Sequence, residues 1–283
     1  MSSMPFLNGY SLEITSGDVH RLQAARKAIA SGTPVSITFL PGDEVDNLAR
    51  TAGAVRRLGY VPIPHISARR ITSHRELFRF LSDLKDEAAV ERVFVIAGDP
   101  PRPLGPYGDA LAIINTGLLA DFGIRHVGIA GYPTGHPQIS STALTGAMTD
   151  KLGAIARSGQ TAEIVTQFSF DSEDVLSWLL QIRRLGVNAT VRIGIPGPAS
   201  VKSLIRFAAR CGVESSANVF AKYGISIRRL LSTATPDLLV NNLARQLDPV
   251  LHGAVKAHLY PFGGVEKLSE WIAAFSASNS VHV

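Results

Sequence analysis

Short apolar runs that end on a polar side chain recur along this chain, and they limit its fold more than any other feature. Tyr10-Ser11-Leu12-Glu13-Ile14 carries Glu13, Val35-Ser36-Ile37 is closed by Thr38, and Val61-Pro62-Ile63-Pro64 leads into His65. Val93-Phe94-Val95-Ile96-Ala97 leads into Gly98 and Asp99. Val127-Gly128-Ile129-Ala130-Gly131 leads into Tyr132 and His136, and Ile164-Val165-Thr166 into Gln167. Apolar runs of this length, flanked by Gly and Pro, read as buried parallel strands. In a closed parallel barrel every C-terminal strand end faces one rim, so these polar residues would converge there.

The spacing predicts strands near residues 10–15, 34–39, 59–65, 92–97, 125–130, 162–168, 189–194 and 255–260. Helical patterns separate them. Leu22, Ala25, Ala28 and Ile29 share one face of a helix over 19–31, and Val45, Leu48, Ala49, Ala52 and Val55 do so over 43–57. Ser73 with Glu76 three residues on is a capping box that opens a third helix. Residues 109–122, 141–158, 173–185 and 199–211 continue the alternation. Residues 215–252 hold two further helical stretches, the second broken at Asp248-Pro249, because the residue before proline disfavours the α region. A last helix is expected over 264–275. The fold class is therefore α/β: a single (β/α)8 TIM-type barrel domain over residues 1–283, with an extra helical insertion before the last strand. An open doubly wound sheet is the competitor, but no Gly-rich phosphate loop follows the first strand.

Hydrophobic residues make up 46% of the chain, enough for a large core without covalent staples. The one cysteine, Cys211, excludes an intramolecular disulfide and fits a reducing, cytoplasmic setting. Met1-Ser2-Ser3-Met4-Pro5-Phe6 lacks a basic segment followed by an apolar core, so no secretory signal is expected. No apolar run reaches the roughly 20 residues that a membrane helix needs. The net charge of +5 is dispersed, so neither nucleic acid nor membrane is an expected partner. Arg69-Arg70, Arg183-Arg184 and Arg228-Arg229 read as solvated helix surface. A mildly positive rim suits an anionic ligand such as a polyglutamate or a pyrophosphate.

Nucleophilic hydrolysis finds no support, since there is no Gly-x-Ser-x-Gly elbow and Cys211 sits inside a helical pattern. No metal site is expected: among Glu13, His65, Asp99 and His136 no pair has i, i+4 spacing. What remains is acid–base chemistry around a bound organic cofactor. Glu13 in a dry barrel mouth would have its carboxyl pushed up toward neutrality and could donate a proton; the alternative is an outward-facing strand end paired with a lysine. Asp99 in Gly98-Asp99-Pro100-Pro101 is either a turn residue or a carboxylate on a stiff loop that accepts from a heterocycle's N–H groups. Gln167 offers both a donor and an acceptor to an amide-bearing ring. His136 in Gly135-His136-Pro137 is either a plain loop histidine or a contact to phosphate or ribose.

Set in order, these segments resemble the methylenetetrahydrofolate reductase family. The resemblance is carried by Ser11-Leu12-Glu13, Val35-Ser36-Ile37-Thr38, Pro64-His65-Ile66-Ser67 and Gly98-Asp99-Pro100-Pro101. Its most specific parts are Gly131-Tyr132-Pro133-Thr134-Gly135-His136-Pro137 and Val165-Thr166-Gln167-Phe168-Ser169-Phe170-Asp171. Ile195-Pro196-Gly197-Pro198, Arg206-Phe207-Ala208 and His258-Leu259-Tyr260 add weaker matches. The resemblance implies an FAD-dependent barrel of one-carbon and methionine metabolism, moving a hydride between methylenetetrahydrofolate and methyltetrahydrofolate. Catalytic roles fall on Glu13, as the acid that helps open the methylene bridge, and on Asp99, between folate and flavin. Thr38, His65, Gly98, Asp99, Ala110, Tyr132, His136 and Lys151 match positions that hold FAD. Glu13, Gln167, Ser203, Phe207 and Tyr260 match the folate side. NAD(P)H is the candidate electron donor, and a homo-oligomer is expected.

The chain also departs from the family pattern. Ala97 stands where the family commonly has arginine, Ile14-Thr15-Ser16-Gly17 replaces Phe-Phe-Pro-Pro, and Ser203 replaces a glutamine. Tyr260-Pro261-Phe262-Gly263-Gly264 replaces Tyr-Thr-Leu-Asn-Arg, so a second arginine is missing. These changes leave open the nicotinamide donor and the working direction, including oxidation of methyltetrahydrofolate. They also leave open a folate-binding or methyl-transfer-associated barrel with no redox activity of its own. The sequence does not decide whether Arg125, Lys202 or Lys222 would hold the glutamate end.

Overall fold

In the computed structural model, residues 5–200, 203 and 235–280 are described. Eight strands form a closed parallel barrel in sequence order. They are β1 (Ser11–Ile14), β2 (Pro34–Ile37), β3 (Val61–Ser67), β4 (Arg92–Ile96), β5 (His126–Gly131), β6 (Thr161–Phe168), β7 (Thr190–Pro196) and β8 (Val255–Tyr260). All eight coincide with the expected strands to within a few residues, and β8 closes on β1 through Ser11 opposite His258. Among the described residues no helix is long and apolar enough to cross a membrane.

The helices are α1 (Val19–Ala24), α2 (Val45–Arg57), α3 (His74–Ala88), α4 (Ala110–Ile114), α5 (Leu118–Asp121), α6 (Ser141–Arg157) and α7 (Ser172–Arg184). Before β8 come α8 (Asp237–Gln246) and α9 (Pro249–His252), and α10 (Val265–Ser280) follows it. Almost all of the helix expected over 199–211, and the first stretch expected in 215–252, lie outside the described residues. So do Lys202, Phe207, Cys211, Lys222 and the Arg228-Arg229 pair.

Local chemistry sets the helix ends. Ser73 accepts from the Glu76 amide, as the capping box requires, but the Glu76 carboxylate reaches back to the Thr72 amide and hydroxyl rather than to Ser73. The single helix expected over 109–122 is two. Gly117 takes φ 77°, which a side chain resists, and the Thr116 hydroxyl accepts from the Leu118 amide to start α5. The first helix is shorter than its pattern and ends in a 3-10 turn over Ala25–Lys27. Asp248 caps α9 through the Val250 amide, with Pro249 in the first turn, where its missing N–H costs nothing.

The two faces of the barrel wall carry different residues. Facing the helices are Leu12, Ile14, Val35, Ile37, Val93, Val95, Val127, Ile129, Val191, Ile193 and Leu259, all in the main apolar core. Inside the barrel the apolar filling is small, with Ile63, Phe94 and Val165 buried together against Ile96 and Ala130. Ser11, Glu13, Ser36, His65, Arg192 and His258 are buried polar residues that alternate with the helix-facing ones. The barrel therefore has an ordinary outside and a polar inside. Near its N-terminal end, Arg192 Nε lies 2.8 Å from Glu163 Oε1, and Arg192 also donates to the Gly9 carbonyl at 2.9 Å.

Arg183 corrects one expectation. Rather than lying on a solvated helix face, it donates to the carbonyls of Val187, Ala189, His252 and Ala254, tying the end of α7 to the entries of β7 and β8.

The buried ion pair generates a stability prediction. Removing one partner leaves the other charge buried and uncompensated, typically a loss of about 3–5 kcal/mol. Glu163→Ala should lower the urea midpoint accordingly, while Glu163→Leu combined with Arg192→Met should recover much of the loss. A wild-type midpoint for Glu163→Ala would show that the pair does not hold the barrel floor.

Candidate functional site

Strand β1 supplies the centre of the site. Glu13 is the third of its four residues and points inward, opposite in side-chain parity to Leu12 and Ile14. Glu13 Oε2 lies 3.5 Å from His65 Nε2 on β3 and 3.6 Å from His258 Nε2 on β8. His258 Nδ1 is 2.8 Å from the Ser11 hydroxyl. A Ser11 hydroxyl that donates to Nδ1 fixes the tautomer with hydrogen on Nε2, the nitrogen nearest Glu13. Ser11, His258, Glu13 and His65 thus form one buried row across three strands.

This environment corrects the expectation of a proton-bearing Glu13. Burial does push its carboxyl upward, but the neighbouring His258 and His65 imidazoles and the Thr38 hydroxyl together outweigh burial and hold it below its ordinary value. His65 moves the other way. Burial and the charge of His258 outweigh the pull of Glu13, and its pKa falls to about 4, so the ring is neutral near pH 7. His65 also packs against Phe94, with ring centroids 4.8 Å apart.

Beside this row opens a cavity of about 280 Å³ lined by Glu13, Thr38, Arg21, Ser203, Tyr260 and Phe262 among others. Three sequence-predicted residues, Thr38, Ser203 and Tyr260, therefore join Glu13 at one opening. Its wall is more aromatic than expected. The Tyr260 and Phe262 rings are nearly parallel, with centroids 5.5 Å apart, and Phe168 meets both edge-on at 5.8 and 4.8 Å. The Tyr260 hydroxyl donates to the Thr166 carbonyl.

The other predicted residues sit further round the rim. Gly98, with φ 91°, lies over the Ser67 hydroxyl so closely that any side chain would collide with it. Asp99 is half-exposed and pairs with Arg70. Tyr132 and His136 meet edge-on at 5.6 Å, and burial raises the Tyr132 hydroxyl. Ala110 is buried at the start of α4. Lys151 on α6 is lowered by burial and raised by the nearby charge of Asp109, which caps α4. Gln167 lies where the β6–β7 register shifts between Val165 and Phe168, and is half-buried. Phe207 lies outside the described residues. Arg125 precedes β5, at the opposite end of the barrel, and pairs with Glu91, so it is not at the rim.

Sequence reasoning missed four parts of this site. His258 was visible as a polar residue inside Val255–Tyr260, with Lys256 and Tyr260 on the same alternation. Ser11 was visible in the same way two residues before Glu13. Phe262 follows the last strand and carries no such signal. Arg69-Arg70, expected as solvated surface, instead packs against the loop after β4.

A family model for methylenetetrahydrofolate reductase matches residues 19–228. Among solved structures, an uncharacterized protein from Clostridium thermocellum that binds two copies of 5-methyl-5,6,7,8-tetrahydrofolic acid shares the fold. Its TM-score is 0.62 at 11% identity, over 98% of this chain and 100% of that one. A dihydropteroate synthase from Thermus thermophilus matches with TM-score 0.48 at 14% identity, over 95% of this chain and 92% of that one.

The buried histidine makes acid stability a test of this site. Below pH 6.5 the unfolded chain protonates this ring, while the folded protein resists until about pH 4. Stability therefore falls as pH falls through that window, and Glu13 withdraws more as pH drops below its unfolded value. His65→Gln should flatten the wild-type loss between pH 6.5 and 4.5 by on the order of 2 kcal/mol. Urea midpoints with the same pH slope in both proteins would contradict a neutral, buried His65.

Proposed function

Since the chain belongs to the methylenetetrahydrofolate reductase family, we propose that it is a flavin-dependent oxidoreductase interconverting methylenetetrahydrofolate and methyltetrahydrofolate. The observation that carries this reading is Glu13. It is a buried carboxylate held by two histidines, at the edge of an aromatic-walled cavity, where a pterin ring could stack and exchange a proton.

The residues present are compatible with FAD. His65 Nδ1 and the Ser67 hydroxyl are buried without a hydrogen-bond partner at the end of β3, as expected of atoms that await a polar ligand. The close approach of Gly98 to Ser67 keeps the end of β4 free of side-chain bulk. Thr38, His65, Gly98, Asp99, Ala110, Tyr132, His136 and Lys151 would hold the cofactor. When bound, a flavin supplies the acceptor or donor of the hydride.

Glu13 then handles the proton. Held below its ordinary carboxyl value, it is ionised near neutrality and suited to accept a proton. Closing the folate's five-membered ring after hydride loss from the methyl group releases the N10 proton, and Glu13 is the base for it. An ionised Glu13 is the form from which the methyltetrahydrofolate-oxidising direction starts. In the reductive direction the same group must first take up a proton and return it to N10. NAD(P)H remains the candidate reductant for that direction.

A second reading, a folate-binding or methyl-transfer-associated barrel with no redox activity, is favoured by one observation: a protein of this fold binds 5-methyl-5,6,7,8-tetrahydrofolic acid. The absorption spectrum of the purified chain, reconstituted with FAD, separates the two. A flavin spectrum bleached by methyltetrahydrofolate or NADH is expected. Folate binding with no flavin retained would leave only the second reading.

Glu13→Gln should retain flavin while its folate half-reaction slows by about 10²–10⁴-fold, the usual worth of general acid–base catalysis. Stopped-flow bleaching at the wild-type rate would remove Glu13 from this role.

A further inference from the structure

A second charge at the rim is held as deliberately as Glu13. Arg70 ends the 3-10 turn Ala68–Arg70 that follows β3. Its side chain is only 14% exposed, and its guanidinium sits 5.9 Å from the centroid of the Phe39 ring. Its Nε is buried without a hydrogen-bond partner. A guanidinium does not shed its proton when buried, so it needs a counter-charge. That counter-charge is Asp99, whose Oδ2 lies 3.3 Å from a terminal nitrogen of Arg70, 29 positions away in sequence.

The preceding residue fixes the backbone of the same loop. Arg69 donates to the Gly108 carbonyl at 2.8 Å and to the Pro100 carbonyl at 3.3 Å. Its amide donates to the Ala97 carbonyl, and its own carbonyl accepts from the Leu104 amide, both at 2.8 Å. Pro100 and Pro101 stiffen the segment further. One dipeptide after β3 therefore clamps the loop after β4: Arg69 holds the loop's backbone and Arg70 holds its carboxylate.

We infer that Arg70 is a positioning residue for Asp99: it fixes the direction of the carboxylate and offsets its charge, so that Asp99 is offered to a ligand's ring N–H groups as an oriented acceptor. This rests on the folate reading above. The contact joins one N–H to one oxygen rather than a fork to a carboxylate, so lysine can supply much of it, whereas glutamine supplies no charge.

The test is calorimetric titration of methyltetrahydrofolate into the full chain as wild type, Arg70→Gln, Arg70→Lys, Asp99→Asn and the Arg70→Gln/Asp99→Asn double variant. Thermal midpoints check that each variant is folded. Because Asp99 is half-exposed and solvent-screened, Arg70→Gln and Asp99→Asn should each weaken binding only about three- to tenfold. The double variant should bind no more weakly than Asp99→Asn alone, and Arg70→Lys should recover most of the affinity. Wild-type affinity in Arg70→Gln, losses that multiply in the double variant, or no recovery with lysine would each overturn the inference. A wild-type chain that binds no folate overturns the folate reading itself, and this inference with it.

Discussion

A carboxylate taken out of water must be compensated, and the placement of Glu13 inside the barrel sets conditions that several strands meet together. Thr38 after β2, His65 on β3 and His258 on β8 supply the compensation, and Ser11 on β1 orients His258. These groups meet only in one register. Side chains alternate with period two, so a one-residue slip of β1 would turn Leu12 and Ile14 inward and set Glu13 among the helices. The closure of β8 on β1, with Ser11 opposite His258, is therefore both the seam of the barrel and part of its site.

The same alternation accounts for the division of labour in the wall. Val, Ile and Leu on the outer parity make a continuous core with the helices, and that core supplies the hydrophobic stabilisation. The inner parity is thereby released from packing duty and carries serine, glutamate, histidine and arginine. Buried charge in such a place costs stability unless each group has a partner, and the barrel answers with Arg192 against Glu163 below and the histidines against Glu13 above.

This division also explains what could be read from the sequence. Apolar runs with period-two polar interruptions gave all eight strands, and the 3.6-residue pattern gave the major helices. Caps were readable where a side chain bonds its own first turn, as at Ser73. Less visible was whatever depends on partners far apart in sequence. The direction of the Glu13 shift depends on Thr38, His65 and His258, the last 245 positions later by residue number, and burial alone predicts the opposite sign. Arg70 and Arg183 looked like surface charges because their acceptors are an aspartate and carbonyls on other elements. The register shift in β6 has no local signal in Thr166-Gln167, and it decides that Phe168, rather than Gln167, resumes the pairing with β7 at Gly194.

The two carboxylates predicted as a pair are made unlike by their surroundings. Glu13 is enclosed and lies against two buried imidazoles on neighbouring strands. Asp99 is half-exposed and paired with a guanidinium that cannot lose its proton, so its partner can steer it but cannot relay for it. Sites that separate proton handling from ligand orientation commonly do so by giving similar acids different neighbours. The buried titratable row therefore runs along the β8–β1–β3 seam, apart from the loop after β4. At the loop after β4, Arg70 reaches Asp99 from the turn that follows the neighbouring strand β3.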